Sequence, residues 1–177
     1  MKSSFEKADF VLRLLTFVAI VIGGGWTAYQ YKQTGSADWA INMRLETEIL
    51  PYRDDLRLLV VHVRSKNPRN YVFELNRDSK DSFELRFHKI SSDLKANVIL
   101  DEENGQLIGK ADLMQGTGGG YAFLPNAEMD DMRYIVLPIN TVVEITAEMQ
   151  IHNGDADEQG KPDVDFISAS TIARVNP

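Results

Sequence analysis

The pattern of hydrophobic and polar positions divides the chain into two parts. Residues 10–31 are almost entirely apolar, and Arg13 is the only charged residue among them. From Trp39 to Ile49 apolar residues occupy nearly every second position instead. A continuous apolar run is typical of a buried or lipid-facing helix, whereas alternation is typical of a strand with one buried face. We therefore expect four segments, namely a short cytoplasmic tail (1–9), a transmembrane helix (10–31), a linker (32–38) and a β-domain (39–177).

The apolar segment has three interpretations. As a helix its 22 residues would span about 33 Å, close to the ~30 Å hydrocarbon core of a bilayer. An aromatic group at one end (Trp26, Tyr29, Tyr31) and Arg13 near the other favour a membrane anchor. A cleaved signal peptide, with small residues at Gly23 and Gly25 marking the cut, is the second interpretation. A buried core helix is the third, but it would show a polar face.

The charges that flank the segment predict its orientation. Lys2, Lys7 and Arg13 lie on the leading side, and Lys32 is the only cation close to the trailing side. Because cytoplasmic flanks carry the excess of Lys and Arg, we expect the N-terminus in the cytoplasm. The C-terminal domain would then be extracytoplasmic, in the periplasm.

The second part reads as a series of strands. RLLVVHVRSKN is apolar on both faces up to Val61, which predicts a central strand. SFELRFHKI and TVVEITAEMQI alternate cleanly, NVIL is expected to pair with QLIGKADLM across Asn104-Gly105, and NAEMDDM could form one helical turn. Eight to ten strands without a convincing soluble helix predict an all-β fold, an immunoglobulin-like antiparallel β-sandwich, with a closed barrel as the alternative.

Composition and charge narrow the classes of partner and chemistry. The chain carries a net charge of -7, and the residues from Trp39 onward contain 15 Lys and Arg against 23 Asp and Glu. Such a surface repels phosphate backbones, so we expect no nucleic acid as a partner. Cysteine is absent, which excludes disulfides, thiolate nucleophiles and cysteine metal sites.

Two stretches resemble a known group of proteins. GGGWTAYQYKQ, followed by LETEILPYRDDLRLLVVHVRSKN, is similar to an uncharacterised group of bacterial single-pass membrane-anchored β-sandwich proteins over the first 67 residues or so. The strand ending V-x-V-x-x-x-N (Val61, Val63, Asn67) also resembles immunoglobulin-like adhesion modules. The resemblance implies an anchor followed by a β-sandwich, and the group carries no agreed activity.

One acidic loop is a candidate metal site. Asp155, Asp157, Gln159 and Asp163 place oxygen ligands near Gly160, as at the start of a calcium loop. The twelfth position holds Phe166 where such loops have a bidentate Glu. A solvated turn rich in Asp, Gly and Pro is the alternative interpretation.

No other stretch suggests reaction chemistry. His62, His88 and His152 are scattered, and the first two are expected on outward strand faces. QGTGGG lacks the Lys-Ser/Thr of a phosphate loop, and no G-x-S-x-G motif occurs. We therefore expect a non-enzymatic, cofactor-free binding module at the bacterial cell envelope, with a membrane or envelope protein as partner. The alternative is a calcium- or small-ligand-binding domain that uses loop 153–165.

Overall fold

The computed structural model describes residues 13, 15–27, 29, 41–97, 99, 105–156 and 160–176. The chain divides into two compact units, Met1–Asp38 and Trp39–Pro177.

The first unit contributes a helix. Residues 13, 15–27 and 29 are helical, their side chains are exposed, and the Thr27 hydroxyl donates a hydrogen bond to the Gly23 carbonyl at 2.8 Å. Across the residues that the structure describes, no helix has both the length and the apolar character needed to cross a membrane. The transmembrane prediction includes residues outside the described set and stays a prediction.

The described residues of the second unit form nine strands and one 3₁₀ turn. In chain order these are β1 (Asn42–Arg53), β2 (Leu56–Lys66), β3 (Phe73–Asn76), the 3₁₀ turn (Arg77–Ser79), β4 (Ser82–Ile90), β5 (Gly105–Asp112), β6 (Gly120–Phe123), β7 (Glu128–Pro138), β8 (Val142–Ala156) and β9 (Pro162–Arg174). The expected all-β class and number of strands are confirmed.

These strands pair into three antiparallel sheets. The strand orders are β1-β2-β7, β5-β4-β8-β9 and the small pair β3-β6. The prediction that RLLVVHVRSKN is a central strand is confirmed, because β2 pairs with β1 on one side and β7 on the other.

One hydrophobic core unites the three sheets. Alternate residues of β2 (Leu59, Val61 and Val63) are fully buried, and they belong to the same cluster as Phe83 of β4. Phe83 meets the ring of Tyr121 edge-on at 5.7 Å. The inward residues of β8 complete the cluster as the sequence predicted: Val143, Ile145, Ala147, Met149 and Ile151. Truncating a core residue such as Phe83 to Ala is expected to cost about 3–5 kcal/mol.

Two buried polar side chains fix the connections. The Asn67 amide group donates to the carbonyls of Tyr71 and Phe123 at 2.8 and 2.9 Å, which ties the β2–β3 loop to the end of β6. The Asp81 carboxylate accepts from the backbone N–H groups of Asn76 and His152 at 2.9 and 2.8 Å. Each side chain thus joins backbone groups from two separate segments of the chain.

One predicted element is wrong, and a second lies only partly among the described residues. NAEMDDM is not helical, because β7 begins at Glu128 after a turn in which the Ala127 N–H donates to the Leu124 carbonyl at 3.1 Å. Pro125 and Asn126, the latter with φ 57°, are the residues that such a turn prefers. The described residues of NVIL are not in a strand either. Among the described residues β5 pairs with β4, beginning with Ile90 opposite Gly105, and not with Asn97 or Ile99.

Candidate functional site

The outer face of the three-stranded sheet is the candidate site. Since Leu59, Val61 and Val63 point into the core, the alternate residues of β2 point outward with their partners in β1 and β7. The register forms four successive rows, which are Arg44, Arg64 and Asp130; Glu46, His62 and Met132; Glu48, Val60 and Tyr134; and Leu50, Leu58 and Val136. We call these twelve residues the outer sheet face.

One end of the outer sheet face is apolar. Tyr134 is 69% exposed and Met132 is 53% exposed, although both are large side chains within a regular strand. Leu50 and Val136 are also exposed, while Val60 is buried between its neighbours on the central strand. The last two rows, which are apolar except for Glu48, give a flat footprint of roughly 14 Å by 14 Å, and Met132 adjoins it. Contiguous apolar patches that approach a few hundred Å² commonly serve binding.

The other end carries a network of paired charges. Arg64 lies at its centre, with its guanidinium 3.1 Å from the Glu46 carboxylate and 3.7 Å from the Asp130 carboxylate. Asp130 also contacts Nδ1 of His62 at 3.0 Å. Arg44 donates to the Glu128 carboxylate at 2.9 Å, next to this group. Exposed ion pairs contribute little to stability, but here they hold long side chains in defined positions.

The inward side of β7 is unusual because it carries charges. The Tyr121 hydroxyl donates a hydrogen bond to the Asp131 carboxylate. Burial raises the pKa of the Asp131 carboxyl, although the Tyr121 hydrogen bond and Arg133 act to lower it. Burial and the hydrogen bond to Asp131 both raise the pKa of the Tyr121 phenol. Inward-pointing charges on an edge strand discourage further strand pairing, so the outer sheet face is better suited than the β7 edge to contact another molecule.

The outer face of the four-stranded sheet is mainly polar where its strands are paired. The Arg86 guanidinium bridges to both oxygens of the Glu148 carboxylate, at 3.4 and 3.0 Å. Burial acts to raise the pKa of the Glu148 carboxyl, but hydrogen bonds from Gln150 and Arg86 lower the pKa below its usual value. On the neighbouring strands the Thr146 and Ser170 hydroxyls lie 3.0 Å apart.

The glycine-rich segment lies between β5 and β6. Gly116, Gly118 and Gly119 have positive φ angles, which explains the need for glycine at these turns. Together with β3 and β6 the segment lines an open cleft of about 380 Å³, which also exposes the carboxylates of Glu74 and Asp78. The segment therefore serves as a connection between two strands.

The four predicted calcium ligands are only partly described. Asp157 and Gln159 lie outside the described residues, and for Asp155 only the backbone, in β8, is described. Asp163 is exposed in β9, and its carboxylate accepts a hydrogen bond from the Asn153 side chain at 3.0 Å. Within the described part of the chain, no three His, Asp or Glu residues are grouped closely enough to hold a metal ion. The calcium site remains a prediction.

The three histidines lie in different environments. His62 is on the outer sheet face, as predicted, and Nδ1 of His152 lies 3.7 Å from the Asp81 carboxylate. The expectation that His88 is an outward surface residue is wrong, because only 7% of it is exposed. The backbone of Gly105 in β5 lies so close that an added Cβ would be 2.7 Å from the His88 Cβ.

Comparisons with known proteins include one distant structural likeness. No family model matches the chain, and no curated protein matches it. Among solved structures the chain is similar to the putative ApaA protein from Bordetella pertussis, with 12% identity, a TM-score of 0.45, and coverage of 77% of this chain and 94% of that one. Likeness at this level carries no argument about fold or function.

The outer sheet face was missed by the sequence reasoning. Its signal was present, because Leu58 and Val60 occupy positions that a one-sided sheet would fill with polar residues. Apolar residues on both faces of a strand indicate either a covered sheet or an exposed contact surface. Only the strand register shows that Met132, Tyr134 and Val136 lie beside Leu58 and Val60 on the same face, on the edge strand β7.

Proposed function

We propose that this chain is a non-enzymatic interaction module, tethered at the bacterial cell envelope, that binds a protein partner through its outer sheet face. The observation that supports the proposal is the apolar end of this face, where Tyr134 and Met132 are exposed beside the ordered charges of Arg64 and its partners. Interfaces typically combine aromatic and Met anchors with a polar rim, which is the composition found here.

The finer fold assignment belongs to the same proposal. An immunoglobulin-like sandwich combines a three-stranded and a four-stranded antiparallel sheet around a shared core. The two larger sheets here have those strand numbers, and both contribute to one hydrophobic cluster. The small β3-β6 pair is an addition to that arrangement.

The tether rests on the sequence of residues 10–31. The described helical residues of this segment expose Leu15, Phe17, Ile20 and Ile22, which water would disfavour and lipid would cover. We expect the full chain to remain with membranes after a high-salt wash. A reporter that is active only outside the cytoplasm, fused after Pro177, should be active; an active cytoplasm-only reporter would reverse the orientation.

Site-specific photo-crosslinking in cells tests the binding surface. A photo-reactive phenylalanine analogue replaces Tyr134 in one version of the full chain and Phe166 in the control. Both are exposed aromatic residues on edge strands, 69% and 61% respectively, but Phe166 lies in β9 of the other large sheet. We expect a discrete protein adduct from position 134 that is absent from position 166. No adduct from position 134, or equal adducts from both, would contradict the proposal.

A further inference from the structure

The charges of the outer sheet face differ from those of the domain as a whole. From Trp39 onward the chain has an excess of eight carboxylates over cations. At the charged end of this face and in the row beyond it, three cations (Arg44, Arg64 and Lys66) lie among three carboxylates (Glu46, Glu128 and Asp130). Two acidic molecules repel each other over most of their surfaces, and repulsion is weakest where charge is already neutralised. This face is therefore where two copies of the chain can approach.

We infer that the partner on the outer sheet face is a second copy of this chain, an inference that rests on the proposed function. The two copies pack face to face about a two-fold axis that runs across the strands through the row of Leu50, Leu58 and Val136. Each strand then lies over its own counterpart with the order of rows reversed. An interface of this type is self-complementary, as two-fold interfaces must be.

The rows on either side of the axis match under this symmetry. The register places Arg53 and Pro138 level with Leu56, one row beyond Leu58. The axis thus sets Val60 over Leu56 of the second copy and Tyr134 over Pro138 of the second copy. Glu48 of one copy lies over Arg53 of the other, and the same pair occurs twice. Apolar residues meet apolar residues, and opposite charges meet at the β1 edge.

The other two-fold arrangement is less favourable. An axis along β2 would place each residue of that strand against itself. Arg64 would then face Arg64 and Lys66 would face Lys66, and like charges at short range destabilise an interface. The axis across the strands avoids both contacts and leaves the charged end as an exposed rim.

Cysteine crosslinking tests the symmetry, because the chain contains no cysteine of its own. Facing sheets lie about 10 Å apart, too far for a disulfide but within reach of a short bis-maleimide. Val136→Cys places two thiols opposite each other near the axis. Ile172→Cys is the control, since Ile172 is an exposed aliphatic residue of β9. With the full chain we expect a crosslinked dimer from Val136→Cys and monomer from Ile172→Cys. Equal crosslinking from both sites, or none from Val136→Cys, overturns the inference.

A charge exchange tests the register. Glu48→Arg sets arginine against Arg53 of the second copy and should reduce the crosslinked fraction several-fold. Combining it with Arg53→Glu restores opposite charges and should restore crosslinking. Both side chains are exposed, so the fold should tolerate both changes. A double variant as poor as the single one overturns the proposed register.

An anchor substitution tests the apolar contact. Tyr134→Lys should weaken dimerisation at least tenfold, whereas Phe166→Lys, the matched control on β9, should not. If Tyr134→Lys loses its cooperative thermal melt, Met132→Lys is tested in its place. Unchanged dimerisation in the variant that folds overturns the inference.

If position 134 photo-crosslinks a different protein while Val136→Cys yields only monomer, the second copy is excluded and the binding function stands.

Discussion

At the scale of single residues, the pair formed by Tyr121 and Asp131 is the most informative contact. Tyr121 is buried in the aromatic cluster with Phe83 and Phe123, and its hydroxyl donates to a carboxylate on the inward side of β7. Because burial raises the pKa of Asp131, the folded state binds the proton more tightly than the unfolded chain does. The ionised carboxylate therefore costs stability, and stability should rise as pH falls toward that raised pKa.

Tyr121→Phe tests this contact. The change removes the donor and leaves the Asp131 carboxylate with less compensation, so its pKa should rise further. We expect a loss of about 1 kcal/mol in the free energy of unfolding near pH 7, a value discounted because Asp131 is partly exposed. The loss should be smaller at pH 4, because the pKa of the carboxyl is raised and a larger fraction of it is then neutral. Denaturant melts at pH 7 and pH 4 measure the free energy of unfolding of both proteins. An equal loss at the two pH values would contradict the role given to the Asp131 carboxylate.

The sequence allowed only part of this residue-level description. The inward residues of β8 follow from strict alternation, since every second residue from Val143 to Ile151 is apolar. Asn67 was singled out by its strand ending, but its role in tying the loop to β6 depends on the Phe123 carbonyl, which is distant in the chain. Nothing in the local sequence shows that Tyr121 meets Asp131. Alternation along a strand indicates which residues point inward, but not which residue of another sheet each of them contacts.

At the scale of elements, the pairing of β4 with β8 holds the four-stranded sheet together at its centre. Arg86 and Glu148 lie on its outer face, each less than one fifth exposed, and form a two-oxygen bridge. Hydrogen bonds from Gln150 and Arg86 outweigh burial and lower the pKa of Glu148. A lowered folded pKa means that the stabilisation is present above the unfolded pKa and is lost as pH falls through the folded pKa.

Arg86→Met should therefore destabilise the domain in a pH-dependent way. The variant keeps the apolar stem but leaves a largely buried carboxylate short of a partner, at a cost of about 2 kcal/mol near pH 7. The difference from the natural chain should decrease in acid as Glu148 becomes protonated. Lys110→Met is the control, because Lys110 is half exposed where it meets Glu84 and should cost under about 0.5 kcal/mol. Equal losses in the two variants would show that the central bridge is no stronger than a surface pair.

Strands were predictable where one face is buried along the whole element. SFELRFHKI corresponds residue for residue to β4, Ser82–Ile90. The first half of β7 was expected to form a helical turn instead, because it carries Asp130 and Asp131, which resemble turn residues. Those carboxylates are tolerated in a strand since Asp130 pairs with His62 and Asp131 accepts from Tyr121. Tertiary partners here outweigh local preference.

At the scale of the whole molecule, the acidic loop of the calcium alternative extends a paired hairpin. Ala156 lies opposite Pro162, so β8 and β9 continue to within a few residues of the tip. Phe166, at the position where a calcium loop needs a bidentate Glu, lies inside β9 opposite Gln150. Asp163 and Asp165 both accept from the Asn153 side chain, which gives two of the loop carboxylates a protein partner. These features favour a solvated turn over a cation site.

We therefore expect millimolar calcium to leave the melting temperature of the full chain essentially unchanged. A cation that bound only the folded state at a hundredfold excess over its Kd would add about 2.7 kcal/mol. In a domain of this size that gain would raise the melting temperature by several degrees. The Asp155→Ala, Asp157→Ala double variant is the control, measured with calcium and with a chelator. A rise of several degrees that the double variant abolishes would overturn this expectation and make loop 153–165 a calcium site, because only ligation through those carboxylates explains such a loss.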